Sequence, residues 1–280
     1  MPELPEVEIT RRGLLPLINQ NVTQVVIRNA SMRWPIPAHL PQTLHQQKLI
    51  SLVRRAKYIL ADFASVSGDK ITSTGTLLLH LGMSGRICLL DRNYPPEKHD
   101  HFDIVFDDGR VLRLRDPRRF GAVLWAGDKP NEHKLISVLG PEPLDDNFNA
   151  QYLYDAISTR SAAIKVTIMD GHLVVGVGNI YASESLFRAR IHPETPAKQL
   201  TLKQCKKLVA EIKSTLNDAL NAGGSSLRDF FGADGHPGYF QQEYFVYGRT
   251  GEPCKLCTSP IKNIRLGQRS TFYCENCQRR

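Results

Sequence analysis

No apolar run in this sequence approaches the roughly 20 residues of a membrane-spanning helix. A basic stretch at the amino end is also missing. The chain opens Met1-Pro-Glu-Leu-Pro-Glu-Val-Glu8, whose acidic character argues against a secretory signal and places the protein in the cytoplasm. Cysteine is sparse before Cys254: Cys88 and Cys205 stand far apart in strand-like and helix-like segments, which excludes a disulfide framework and predicts buried, inert thiols. A complete G-x-G-x-x-G is absent as well. In Val175-Gly-Val-Gly178-Asn179-Ile180, Tyr181 stands where the third glycine belongs, so a dinucleotide site is excluded. There is no acidic excess: 36 Lys and Arg against 28 Asp and Glu give a net charge of +8. The basic residues cluster at Arg11-Arg12, Arg54 to Lys57, Arg113 to Arg119, Lys203 to Lys207 and Arg279-Arg280, which points to a polyanion. No basic amphipathic helix with an aromatic face occurs, so nucleic acid is favoured over a membrane surface.

What is present describes more than one domain with real cores, since 41% of the residues are hydrophobic. Leu4, Val7, Leu14, Leu15 and Ile18 recur at helical spacing and predict a leading amphipathic helix. Short alternating runs follow at Val22–Ile27, Leu49–Val53, Tyr58–Phe63, Thr76–Leu81, Phe102–Phe106, Val111–Arg115 and Ala122–Trp125. Seven or eight such strands suggest an antiparallel sandwich or barrel, with Asp108-Gly109 as a hairpin turn. The polar stretch from Ala64 to Gly75 reads as a surface loop without chemistry. Asp128 to Asn149, with three prolines, reads as a passage between domains. Helices return at Tyr152–Ile157, Ile180–Arg188 and Leu202–Leu220, the last with Thr201 as N-cap. Residues 223 to 241, rich in glycine, read as a functional loop.

The strongest chemical signal is Cys254-Lys-Leu-Cys257 followed after sixteen residues by Cys274-Glu-Asn-Cys277. This spacing fits a tetrahedral zinc site, and four thiolates leave no open position for catalysis, so the metal is structural. The segment between alternates like a hairpin and carries Lys262, Arg265 and Arg269, either as solvated charges or as a basic finger for a phosphate backbone. Gly178 and Asn179 at a helix start suit a tight turn or a single phosphate. Asp116-Pro-Arg-Arg119-Phe120-Gly121 is either a surface turn or what a DNA binder needs to fill a vacated base stack. Lys98-His99-Asp100-His101 lacks a third ligand for a metal. The first residues also have two readings. Pro2 and Pro5 suit a helix start with acidic residues in its first turn. A small second residue also predicts removal of Met1, which would leave Pro2 with a free secondary amine beside Glu3. A chain-terminal α-amine of the ordinary primary kind titrates well below a lysine, and a terminal amine is a ready nucleophile.

Taken together, Pro2-Glu-Leu-Pro-Glu6, Arg54-Arg-Ala-Lys57-Tyr58, His80-Leu-Gly-Met-Ser-Gly85, Asp116-Pro-Arg-Arg-Phe-Gly121, Gly176-Val-Gly-Asn-Ile-Tyr-Ala-Ser-Glu184 and the four-cysteine terminus resemble the bacterial formamidopyrimidine-DNA glycosylases, essentially end to end. The resemblance implies an α+β multidomain fold: an N-terminal antiparallel β-sandwich with leading helix over 1–130, a helical helix-two-turn-helix domain with a lesion-recognition loop over 131–240, and a zinc finger hairpin over 241–280. It implies a bifunctional DNA glycosylase and abasic-site lyase that removes oxidised purines such as 8-oxoguanine and cuts the strand by β,δ-elimination through a Schiff base on the N-terminal proline.

By the same resemblance Pro2 would attack C1′, Glu3 would handle proton transfers, and Lys57 and Arg269 would assist elimination and hold phosphate. His99, Arg160 and Asn179 would hold the backbone. Met83, Arg118 and Phe120 would fill the gap left by the flipped nucleotide, with Arg118 on the opposite cytosine. Cys254, Cys257, Cys274 and Cys277 would hold one structural Zn²⁺. The partner would be duplex DNA with an oxidised purine opposite cytosine, and the protein a monomer. Three features depart from the family pattern: Arg160 replaces a lysine, the stretch from Ser65 to Thr74 is long, and Phe230-Phe-Gly-Ala is unusual in the recognition loop. Leu4 separates the chain from the endonuclease VIII-like branch, directed at oxidised pyrimidines, which has glycine there. A non-catalytic damaged-DNA-binding protein is the other alternative.

Overall fold

The computed structural model describes residues 2–68, 70–223 and 244–280. The chain forms two compact units, one holding the residues up to Ser137 and the other holding Val138–Asn221 with the C-terminal residues from Tyr244.

The first unit begins with α1 (Leu4–Gly13). Glu3 is its N-cap, and the Glu6 carboxylate accepts the Glu3 amide at 2.8 Å in a capping-box arrangement. Pro5 sits in the first turn, where its missing N–H costs nothing. The helix is shorter than its apolar spacing predicts. It ends at Gly13, and the chain tightens into a 3₁₀ turn over Leu15–Leu17 because Pro16 cannot continue the α-helical ladder.

Eight strands follow: β1 (Val22–Ile27), then, after the short α2 (Leu40–Leu44), β2 (Lys48–Arg55), β3 (Tyr58–Ser67), β4 (Lys70–His80), β5 (Arg86–Asp91), β6 (Asp100–Phe106), β7 (Arg110–Arg115) and β8 (Ala122–Gly127). They make two four-stranded antiparallel sheets, β2-β3-β4-β8 and β1-β6-β7-β5. Leu52, Ile59, Phe63, Leu77 and Leu79 from one sheet share a core with Val25, Phe102, Ile104, Leu112 and Leu114 from the other, and Val7 brings α1 onto it. This is the sandwich that the alternating runs imply. The reading of Ala64–Gly75 as a loop is corrected: β3 and β4 run on as a ladder pairing Ala64 with Ser73, Ser65 with Thr72, Val66 with Ile71 and Ser67 with Lys70. From the Ser65–Thr72 pair outward both faces are exposed, so no apolar alternation marks it, while its β-branched Val66, Ile71 and threonines favour strand.

The second unit contains α3 (Ala150–Ile157), α4 (Ile164–Ile168), α5 (Asn179–Ala189) and α6 (Leu202–Asn221), followed by the hairpin of β9 (Lys262–Leu266) and β10 (Arg269–Tyr273). Thr201 caps α6 as its sequence predicts, exchanging hydrogen bonds with Gln204. α6 packs on both α3 and α5, and α5 touches β10. Phe187 of α5 joins Val246, Ile261, Phe272, Cys254 and Cys274 in one apolar cluster, so finger and helices share a core.

Candidate catalytic and nucleic-acid interface

In the sandwich unit Pro2 and Glu3 are buried at the mouth of α1, Glu3 to 1% exposure. The helix holding them is braced from below: the Arg11 guanidinium binds Glu8 and donates to the Leu52 carbonyl of β2 at 3.0 Å. Lys57 lies in the two-residue turn between β2 and β3, after Ala56, whose φ of 55° is left-handed backbone. Its neighbour Tyr58 faces His80 across the ladder, with ring centroids 4.8 Å apart. Burial, and then the charges of Lys57 and Arg33, push the His80 imidazole down to about 4. It is therefore neutral near pH 7, and its Nδ1 accepts the Gly82 amide at 3.0 Å.

That bond begins the loop carrying Met83. Beside it runs the loop carrying Arg118 and Phe120. Gly82 has a φ of 64°, and a Cβ on it would lie 2.3 Å from the Phe120 carbonyl carbon, so the two backbones meet only because this residue has no side chain. Asp116, with no exposure, ties the loops together: Ser84 donates to it at 2.6 Å and the Gly121 amide at 2.8 Å. Met83, Arg118 and Phe120 all remain exposed, and the Arg118 guanidinium lies 4.8 Å from the Phe120 ring centre. The structure thus brings together three residues that lie up to 37 positions apart (120 − 83). His99 is half-buried beside them, its carbonyl accepting the Asp116 amide at 3.0 Å. His101 points its Nε2 at the Asp116 carbonyl, 2.9 Å away, a structural use.

The basic clusters are not all available to a polyanion. Arg113 and Arg115 form ion pairs with Asp100 and Asp103 inside the unit, and Arg11 and Arg54 pair with Glu8. From this run of arginines, Arg118 and Arg119 face solvent. Cys88 and Cys205 are buried, their thiols pushed up by burial, Cys205 to about 11, as inert thiols should be.

In the second unit Asn179 opens α5 immediately after its N-cap Gly178. Its side chain is fixed from two sides: the Lys165 ammonium donates to Oδ1, and Nδ2 donates to the Ser270 carbonyl of β10 at 3.0 Å. Lys165 is buried on α4 and also reaches Ser270 and the Thr271 hydroxyl. The same lysine therefore orients both Asn179 and the strand that begins with Arg269. Arg269 is exposed next to the Gly267-Gln268 turn, whose two positive φ values are those of a tight hairpin. Around it lies a cavity of about 300 Å³ lined by Lys165, Val166, Met169, Asp170, Leu266, Gly267 and Arg269. Arg160 binds Asp170 at 2.8 Å; burial opposes that charge, but this bond and those from His172 hold the carboxyl down at about 2. Arg160 is thus an already paired cation.

The four Sγ atoms of Cys254, Cys257, Cys274 and Cys277 lie within 4.8 Å of one another, at 3.9 Å for Cys254 to Cys277 and 3.4 Å for Cys257 to Cys274. A Zn–S bond of about 2.3 Å in a tetrahedron gives S···S edges of about 3.8 Å, so the set fits zinc closely. Gln278, fully buried, receives the Cys274 amide and donates to the Ile191 carbonyl just beyond α5. Glu184 of α5 accepts the amides of Phe245, Val246 and Tyr247 at 2.8 to 2.9 Å. Lys165, Glu184 and Gln278 escaped the sequence reading of the site, because each has a partner that lies 61 to 106 positions away. The glycine-rich segment 225–241 and its Phe230-Phe-Gly-Ala lie outside the described residues.

Sandwich loops bearing an exposed arginine-aromatic pair, a helical unit presenting an asparagine at a helix start, and a four-cysteine finger fit a zinc-containing nucleic-acid-binding protein. Residues 1–123 match the formamidopyrimidine-DNA glycosylase N-terminal domain, 139–231 the formamidopyrimidine-DNA glycosylase H2TH domain, and 251–280 the zinc finger found in FPG and IleRS. The formamidopyrimidine-DNA glycosylase of Methylobacillus flagellatus is 69% identical over 99% of this chain and 96% of its own. The solved structure of the MutM (Fpg) protein from Thermus thermophilus is 34% identical with a TM-score of 0.85, covering 99% of this chain and 98% of that one. Lactococcus lactis Fpg, solved with abasic-site DNA, is 32% identical with a TM-score of 0.88, covering 99% and 100%. The chain belongs to the formamidopyrimidine-DNA glycosylase family. It is a DNA glycosylase with abasic-site lyase activity, and its finger holds one structural zinc.

Proposed function

We propose that the chain removes oxidised purines from duplex DNA opposite cytosine and cuts the resulting site, with Pro2 as the nucleophile. The observation that carries this reading is the placement of Pro2 and Glu3 together, buried, at the start of a braced helix in a chain of this family. Removal of Met1 frees the amine. The Pro2 nitrogen then bonds to C1′ as the C1′–base bond breaks, and the base leaves with a proton. The C1′–O4′ bond of the sugar ring then breaks, O4′ taking a proton from Glu3, and the lone pair of the proline nitrogen forms C1′=N⁺; the open-chain adduct is an iminium, because a secondary amine has no second proton to lose. That cation acidifies C2′, so the 3′ phosphate and then the 5′ phosphate depart by β and δ elimination. Glu3 exchanges protons with the opening sugar, while Lys57 and Arg269 assist the eliminations and hold phosphate. His99, Asn179 and Arg160 hold backbone, and Arg160 must do so while sharing its charge with Asp170.

Met83, Arg118 and Phe120 occupy the gap left by the flipped nucleotide, offsetting part of an unstacking cost of a few kcal/mol. Arg118 faces the orphaned cytosine. Relatives solved with abasic-site DNA and with DNA containing carbocyclic 8-oxo-G support the substrate class. The protein acts as a monomer, in the cytoplasm at the nucleoid. No helix among the described residues is long and apolar enough to cross a membrane. The test is excision from matched duplexes: 8-oxoguanine opposite cytosine should be released at least about tenfold faster than thymine glycol, and the reverse order would overturn the substrate assignment.

A further inference from the structure

We propose that Asp116 and Ser84 are positioning residues that lock the Met83 loop and the Arg118–Phe120 loop into one wedge, and thereby set discrimination of the base opposite the lesion. This rests on the reading of those three side chains as stack-filling. Asp116 has no exposure at all, and a carboxylate taken out of water is costly unless every lone pair is used. Here Oδ1 accepts the Ser84 hydroxyl at 2.6 Å and the Arg118 amide at 3.3 Å, and Oδ2 accepts the Gly121 amide at 2.8 Å. The Ser84 oxygen accepts the Arg118 amide too, at 3.1 Å.

Its backbone is as fully engaged. The N–H donates to the His99 carbonyl, and the carbonyl receives His101 Nε2 and the Arg119 amide. A turn needing only an aspartate at its first position would leave that side chain at the surface. This one is buried and shared with a residue 32 positions away, on the loop that carries Met83. Arg118 is the residue whose backbone touches both members of the clasp. Its guanidinium is exposed beside the Phe120 ring, so the clasp fixes the backbone from which that side chain starts.

The clasp also needs a carboxylate. An amide has a single acceptor oxygen, and its NH₂ would confront the Gly121 N–H donor to donor. Asp116→Asn therefore loosens the wedge, and Ser84→Ala does so more gently at a half-buried site. The experiment measures excision of 8-oxoguanine opposite cytosine and opposite adenine, borohydride trapping on a preformed abasic duplex, and fluorescence of 2-aminopurine beside the lesion. Asp116→Asn should excise opposite cytosine about tenfold more slowly, the change expected for one hydrogen bond to a charged group, and Ser84→Ala about threefold more slowly. The cytosine-to-adenine ratio should shrink, while trapping on the abasic duplex stays within about twofold of the parent.

An unchanged ratio in Ser84→Ala overturns the proposal. So does an equal loss in excision and trapping together with a lower melting temperature, which would mark Asp116 as structural only. Phe120→Ala separates the two layers of the argument. If it leaves the 2-aminopurine signal intact, the stack-filling reading fails and the clasp loses its basis. If it abolishes the signal while Ser84→Ala retains both signal and ratio, the clasp alone fails.

Discussion

The sandwich loops and the zinc knuckles present exposed arginines on short turns, yet they are held by opposite means. Asp116 secures its loops by a buried carboxylate, above a core to which two sheets contribute. The finger has a small apolar cluster that includes two of its own ligands, so its order depends on the metal and on a few long-range bonds to α5. A large core lets the first device set loop geometry without having to hold the unit folded; a small one makes the second indispensable to order. Pro2, the proposed nucleophile, therefore belongs to the self-supporting unit, and Arg269 to the conditional one.

The largest effect that tests this contrast is loss of zinc. Structural zinc in small modules contributes on the order of 10–16 kcal/mol of apparent binding energy. Cys254→Ser, or chelation, should unfold the finger and abolish DNA binding in a gel-shift assay while the β-sheet circular dichroism of the sandwich persists. Retained binding would make the finger dispensable.

A smaller effect follows from Glu184, whose three amide acceptances anchor 245–247 although burial pushes its carboxyl up. Glu184→Gln leaves the Phe245 amide or its two neighbours unmet and should cost about 2 kcal/mol, read as faster hydrogen exchange confined to 245–247 and the finger. Uniform exchange across the unit would mean that finger and helices open together.

The sandwich has its own weak point in His80. Its pKa of about 4 lies below the ordinary 6.5, so the folded state binds a proton less readily than the unfolded chain. Its contribution is complete above pH 6.5 and is lost as pH falls toward 4, an effect on the order of 2 kcal/mol. Urea midpoints at pH 7.5 and 4.5 should converge in His80→Gln. An unaltered gap would assign the acid sensitivity to other groups.

The sequence made most of the sheets and the longer helices legible because they alternate or recur with one buried face. The strand β5 and the one-turn α4 lacked that signature, and the exposed β3–β4 extension lacked a buried face altogether. The cysteines were legible from spacing, and Met83, Arg118 and Phe120 from motifs. Lys165, Glu184 and Gln278 were not, since a buried polar residue reveals itself only through partners brought by folding. The basic runs misled in the same way: Arg113 and Arg115 look like DNA contacts in the chain and are ion-paired within the sandwich.

The central claim is that the amine of Pro2 does the chemistry, and the direct measurement is borohydride reduction of the protein on an 8-oxoguanine duplex followed by peptide mapping. The adduct should map to an N-terminal peptide beginning at Pro2, and a protein with a blocked amino terminus should lose most of it. Equal trapping by the blocked protein, or an adduct on Lys57, would contradict the account.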